Sequence, residues 1–182
     1  MVKYPIKDPE TDQRKGDHMK RTTTLWRIPA FGIVAGVIWF FLNSHFLGSL
    51  SLVTLPDNTV TVDPLRSLLM DLLVLVTTMA YCALWVTPKM TRKEVFRSSL
   101  VLVAFMLGSV AIQGILSATG SGAAQMAAFY LAEPFEWCNF IFRIVHLFTG
   151  NLWISMVVQS FSPLIFVIFG KKELPDYTGI ET

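Results

Sequence analysis

Four apolar runs separated by polar segments form the dominant pattern of the chain. Each run is close to the length of about 20 residues that a helix needs to cross the hydrocarbon core of a bilayer. The pattern predicts an all-α integral membrane protein, a four-transmembrane-helix bundle. Its predicted spans cover residues 28–50, 65–86, 95–118 and 150–169.

The same pattern divides the chain into three parts. Residues 1–24 are polar and lack a periodic apolar face, so we expect a disordered tail. A transmembrane helical domain covers residues 25–170, and residues 171–182 form a second tail. Within the domain, residues 51–62 form a polar, β-branched connector between the first two spans.

Local signals at the ends of the runs support the helices. Asp63, followed by a proline, is typical of an N-cap and the first turn of a helix. Thr91 and Glu94 have the spacing of a capping box before the third span. Gly32 and Gly36 form a GxxxG pattern, which allows another helix to approach the first span closely.

The composition agrees with a membrane protein and argues against a nucleic-acid-binding protein. Charged residues make up 15% of the chain, whereas a soluble domain carries about 25%. The formal net charge is only +2, and the basic residues lie beside the apolar runs rather than in one patch. We therefore interpret the basic residues as determinants of membrane orientation.

The distribution of Lys and Arg predicts a topology with both termini in the cytoplasm, which we assign to the plasma membrane. Basic residues crowd residues 1–27, residues 89–97 and the pair 171–172, whereas residues 119–142 contain none. With four spans, every connector lies on the side of the membrane that its content of Lys and Arg predicts. The alternative is a fifth span within residues 123–149. It would place the C-terminal lysines outside the cell and immerse four ionisable side chains in lipid.

The connector before the last span has an unusual polar stripe. On a helix over residues 134–149, Glu136, Asn139, Arg143 and His146 fall within a sector of about 80°. The pattern predicts an extracytoplasmic amphipathic helical segment. Its stripe faces either lipid headgroups and external water, or an outward-facing cavity within the bundle.

Further polar side chains fall in the outer half of the predicted spans. Asp71 lies two turns inside the second span, and a buried carboxylate needs a partner or water. Arg143 is its expected partner by charge. A structural ion pair, and hydrogen bonds between helices, are the plainer alternatives to a binding site. The candidate ligand-binding residues are Asp71, Arg143, His146, His45, Gln113, Glu136 and Asn139.

Three function classes fit these residues. The first is a solute-binding or transport-associated membrane protein, and the second is an accessory or assembly subunit that binds another membrane protein. The third is a membrane-embedded metal or acid–base enzyme, which the sequence favours least because it has no HExxH or GxSxG motif. We therefore predict no catalytic residue, metal site or cofactor.

The expected partners are the lipid bilayer and other membrane protein chains, including further copies of this chain, and no nucleic acid. Cys82 and Cys138 fall on opposite sides of the bilayer in the predicted topology. A disulfide requires Cα atoms within about 7 Å, so we expect both cysteines to be free.

Overall fold

The structure is a computed structural model that describes residues 23–120, 122–123, 126–127, 130 and 133–172. Most of the predicted tails, at residues 1–24 and 171–182, lie outside the described residues. The described part is mostly helical and contains four helices that are long and apolar enough to span a membrane. These are Thr23–Phe46, Pro64–Val86, Arg92–Ala118 and Leu152–Phe169.

The first three helices have regular α-helical bodies, and two of them end in a wider π-helical turn. Helix α1 covers Arg27–Leu42 and continues through a π-helical turn at Asn43–Leu47. Helix α2 covers Pro64–Tyr81 and continues through a π-helical turn at Cys82–Val86. Helix α3 covers Arg92–Ala118.

The C-terminal half of the domain combines 3-10 and α-helical segments. A 3-10 helix at Glu133–Cys138, which we call the central turn, precedes helix α4 at Asn139–Thr149. Helix α5 covers Leu152–Ser160 and is extended by a 3-10 helix at Ser162–Phe169. Gly150 has a positive φ of 63°, a conformation that ends α4 and reverses the chain into α5.

The predicted helix caps are confirmed. The Asp63 carboxylate accepts hydrogen bonds from the backbone N–H groups of Leu65 and Arg66. Thr91 and Glu94 form a complete capping box, in which each side chain accepts from the other residue's backbone N–H. These contacts satisfy donors that the first turn of a helix leaves unpaired, which is why the starts of α2 and α3 were predictable.

The connector between α1 and α2 is a β-hairpin, which the sequence analysis did not predict. Strands β1, Leu52–Thr54, and β2, Val60–Val62, pair antiparallel with Val53 opposite Thr61. Asn58 adopts a positive φ of 64° at the turn, a conformation that asparagine tolerates better than most residues. The two strands hold the ends of α1 and α2 together.

The central turn lies level with the middle of three helices. Pro134 packs against Gly36, halfway along the first of the four long apolar helices. The Phe135 ring meets Phe105, halfway along α3, in an edge-to-face contact with centroids 5.9 Å apart. Gln159, near the middle of the last spanning helix, donates to the Phe135 carbonyl. The connector after α3 therefore returns into the bundle instead of remaining at its end.

This placement changes the predicted geometry of residues 134–149. The sequence analysis placed them in one amphipathic helix, but α-helical geometry begins only at Asn139. Before that residue the chain adopts the tighter 3-10 geometry, with Pro134 in its first turn. Proline has no N–H to donate, so it suits the start of a helix. Glu136 therefore does not follow the 100° spacing assumed for the stripe.

The centre of the bundle is packed around aromatic rings. Trp137 is fully buried and stacks on Phe166 at 5.4 Å, and Phe31 meets the edge of Phe166 at 6.3 Å. Gly32 faces Leu102, and a Cβ there would lie 2.7 Å from a Leu102 methyl carbon. The close approach predicted from the GxxxG pattern is confirmed, with α3 as the neighbour at the first glycine and the central turn at the second.

At the end of the bundle away from the β-hairpin, the residues that follow the 3-10 helix Ser162–Phe169 contact the start of α3. The backbone N–H of Arg92 donates to the Lys171 carbonyl, and the N–H of Lys171 donates to the Met90 carbonyl, each at 3.0 Å. The Arg92 side chain also donates to the Gly170 carbonyl at 3.3 Å. These contacts gather basic residues from separate segments at one end of the molecule, among them Arg27, Lys89, Arg92 and Lys171.

We expect Gly36→Ala to destabilise the protein by about 1–3 kcal/mol, because the added Cβ would overlap the Pro134 carbonyl oxygen. Gly108→Ala is the matched control, since a Cβ at Gly108 meets no described atom within 4 Å. Thermal unfolding of both variants in detergent measures the difference. Equal unfolding temperatures for the two variants would contradict the packing of the central turn against α1.

Candidate functional site

A cavity of about 230 Å³ lies between α3, the central turn, α4 and α5. It extends from Ser117 and Leu152, at one end of α3 and α5, to Met106, near the middle of α3, and Ser160, the last residue of α5. Each of the four elements contributes polar groups to its wall. The polar lining residues are Ser109, Gln113, Ser117, Glu133, Glu136, Asn139, Gln159 and Ser160.

Glu133 is the most unusual residue of this wall. Only 7% of its surface is exposed, and its Oε2 atom has no hydrogen-bond partner among the described residues. An ionised carboxylate without a partner is costly to bury. Burial and the nearby Glu136 carboxylate raise the pKa of Glu133 to about 7. The group therefore changes charge near neutral pH, inside a cavity.

Glu136 connects the cavity to the first helix. The Asn43 amide donates to its Oε2 at 3.3 Å across the interface between α1 and the central turn. Burial raises the pKa of Glu136, and the negative Asp71 adds to this effect, while Asn43 and Arg143 oppose it. Glu136 is therefore partly stabilised as a carboxylate, whereas Glu133 Oε2 has no comparable partner in the described part of the chain.

Two glutamines complete the inner wall of the cavity. Gln113 is buried on α3 and donates to the Ser109 hydroxyl at 3.4 Å. Gln159 on α5 donates to the Phe135 carbonyl at 3.4 Å and approaches the Cys138 sulfur at 3.3 Å. The contact with the Phe135 carbonyl explains how the Gln159 amide, in an otherwise apolar helix, is satisfied: it donates to the backbone of the central turn.

The expected ion pair between Asp71 and Arg143 is present beside the cavity. Arg143 Nε lies 2.8 Å from Asp71 Oδ2, without the alignment of a hydrogen bond, and Arg143 Nη1 donates to the Ser67 hydroxyl at 2.6 Å. The Asp71 side chain is 12% exposed and that of Arg143 is 38% exposed. This pair joins α4 to α2, and neither residue lines the cavity.

The seven predicted site residues therefore fall into three groups. Gln113, Glu136 and Asn139 line the cavity, and Asp71 and Arg143 form the neighbouring ion pair. The two histidines lie apart from both groups. His45 is exposed and its Nδ1 lies 3.0 Å from the Phe41 carbonyl oxygen, and His146 is exposed and stacks on Phe142. Their assignment as ligand-binding residues stays a prediction.

The polar lining residues that were not among the predicted site residues include Glu133, Gln159 and Ser160. Glu133 lies outside every predicted span, and Gln159 lies in the half of the bundle where few polar residues occur. The cavity brings them together only because the central turn returns to the middle of the helices. The available signal was the pair Glu133 and Glu136, two acids in an otherwise apolar stretch.

The described residues contain no group of three His, Cys, Asp or Glu side chains placed to hold a metal ion. Cys82 and Cys138 are both free and buried. No known protein family, curated protein or solved structure matches the chain. The function must therefore be inferred from the geometry of the cavity and its surroundings.

We expect Asp71→Asn and Arg143→Gln to be coupled in a double-mutant cycle. Each single change leaves a polar or charged partner unpaired, so the double variant should lose less stability than the two single changes added together. The expected coupling free energy is on the order of 1–2 kcal/mol, since Arg143 is partly exposed. Unfolding temperatures of the four proteins provide the measurement, and strictly additive losses would show that the pair contributes nothing.

Proposed function

We propose that the protein is an integral membrane protein whose cavity binds a small polar solute, as a solute-binding or transport-associated component of the plasma membrane. The observation that carries the proposal is the buried Glu133 carboxyl, which lines the cavity without a hydrogen-bond partner among the described residues. A buried polar group normally has a partner. A bound solute would supply one.

The distribution of charge supports a membrane orientation with both termini in the cytoplasm. The basic residues gathered around the Arg92–Lys171 contact lie at one end of the bundle, as expected for a cytoplasmic face. The cavity begins near the other end, at Ser117 and Leu152. In this orientation the cavity opens towards the extracytoplasmic side.

The lining of the cavity supports solute binding more than a sealed structural core. Small-molecule sites combine apolar walls with a few polar groups that fix the orientation of the ligand. Here the apolar walls include Phe135, Phe142 and Trp153, and the polar groups come from four separate elements. The ion pair of Asp71 and Arg143 fixes α4 against α2 and thereby holds one wall in place.

An accessory or assembly role is the second candidate, and one observation favours it. Ala104, Gly108 and Ala111 form an exposed small-residue face on α3, and a Cβ at Gly108 would meet no described atom within 4 Å. Such a face allows a helix of another chain, or of a second copy, to pack closely. The two roles are compatible, because this face and the cavity use different sides of α3.

We expect Gln113→Cys to react with a charged, membrane-impermeant thiol reagent added from the extracytoplasmic side, because the cavity admits water. Ile112→Cys is the matched control: it lies at the same level of α3, with 46% of its side chain facing the surroundings of the bundle. A thiol surrounded by lipid forms little thiolate and meets no charged reagent. Mass spectrometry of vesicles with known orientation measures the labelling.

The parent chain gives the background in this experiment, since its two native cysteines are buried. Labelling of Gln113→Cys alone supports an outward-facing, water-filled cavity. Equal labelling of both positions would exclude the proposed membrane position of α3. Labelling of neither position would show that the cavity is closed to the outside and would remove the basis for solute binding.

A further inference from the structure

The charged groups of the cavity have one sign. Glu133 and Glu136 both line it, and no described lining residue is Lys, Arg or His. All other polar lining groups are neutral amides and hydroxyls. An anionic solute entering this space would face two carboxyl groups and no compensating cation, which is unfavourable in a buried site.

Arg143 compensates for the two carboxyl groups only in part, by opposing the raised pKa of Glu136. Arg143 is paired with Asp71 and donates to Ser67, on the α2 side of α4. Its charge is therefore largely balanced by Asp71. Asn43 contributes one amide hydrogen bond to Glu136, but Glu133 Oε2 receives no donor from the described residues.

Aromatic rings form much of the apolar wall. Phe135, Phe142 and Trp153 come from the central turn, α4 and α5 respectively. The faces of aromatic rings carry partial negative charge and attract cations, most strongly when the cation is removed from water. Gly114 leaves space for the Trp153 ring, since a Cβ there would already contact the ring at 3.4 Å.

We infer that the solute is a small organic cation with N–H donors, bound with its ammonium group at Glu133 and its apolar part against the aromatic wall. This inference rests on the solute-binding function proposed above and names its substrate class. The Glu133 Oε2 atom accepts a hydrogen bond from the ammonium group, and Glu136 adds a second negative charge nearby. Neither contact is available to a neutral or anionic solute with the same strength.

The volume of the cavity limits the size of this cation. A cavity of about 230 Å³ is smaller than the roughly 300–1,000 Å³ of typical sites for drug-sized ligands. It corresponds to about eight water molecules at about 30 Å³ each. The expected ligand is therefore a short aliphatic amine rather than a lipid or a peptide.

Protons compete with this cation for Glu133. The polar groups that α3, α4 and α5 contribute to the same cavity are neutral: Ser109, Gln113, Ser117, Asn139, Gln159 and Ser160. Glu136 is the nearest titratable neighbour, with Asp71 and Arg143 behind it. Because Glu133 is deprotonated only above a pKa of about 7, the apparent affinity for a cation should fall by up to tenfold per pH unit below pH 7 and level off above it.

The test compares three solutes of matched shape on the full chain in lipid nanodiscs: n-butylammonium, 1-butanol and butyrate. At pH 8 we expect n-butylammonium to bind at least tenfold more tightly than 1-butanol, and butyrate to bind more weakly than either. Glu133→Gln should reduce the affinity for n-butylammonium at least tenfold. Asp57→Asn, which removes a carboxylate from the exposed hairpin turn, is the matched control and should leave the affinity unchanged.

The outcomes separate this inference from the proposed function. Equal binding of 1-butanol and n-butylammonium, or preferred binding of butyrate, would overturn the cation assignment and leave solute binding intact. Failure of all three solutes to bind would overturn both proposals. If Glu133→Gln does not fold, the pH series on the unaltered chain decides: an affinity for n-butylammonium that is independent of pH between 5 and 8 would overturn the role of Glu133.

Discussion

The structure depends on the close packing of the central turn, Glu133–Cys138, against the middle of α1. Gly36 has no side chain, so the Pro134 backbone can occupy the space where a Cβ would lie. Backbone that is not α-helical needs partners for its polar groups when it is buried at this level. Gln159 and the Cys138 thiol both donate to the Phe135 carbonyl, so this backbone oxygen has hydrogen-bond partners. A chain that returned to the middle of the bundle without these contacts would leave carbonyl groups unsatisfied.

The functional proposals follow from the position of this turn. It carries Glu133 and Glu136 from a connector into the interior, where α3 and α5 present amides and hydroxyls at the same level. The ion pair of Asp71 and Arg143 then fixes α4, which forms the remaining wall. One connector thus supplies two acids to the cavity, and the long helices supply mainly neutral polar groups and apolar surface. The cavity is the proposed binding site, and the ion pair positions one of its walls.

The sequence was sufficient for features that depend on local chemistry or on apolar length. The four long apolar helices, the Asp63 cap and the capping box of Thr91 and Glu94 follow from residues close together in the chain. The β-hairpin was missed because strands of three residues give too short an alternation to recognise. The position of the central turn was missed because the absence of Lys and Arg near it predicts on which side of the membrane the connector lies. It does not predict how deeply the connector enters the bundle. Its depth is set by tertiary contacts with Gly36 and Phe105, which the local sequence does not encode.

The depth of the central turn is most directly tested by crosslinking two introduced cysteines with a short bifunctional thiol reagent, in a chain whose native cysteines are replaced by alanine. Phe105 touches Phe135, whereas Ile115 lies about 15 Å further along α3 and is 69% exposed. The account predicts that Phe105→Cys crosslinks to Phe135→Cys and that Ile115→Cys does not. Efficient crosslinking from position 115 with none from position 105 would place the turn at the end of the bundle and contradict the account.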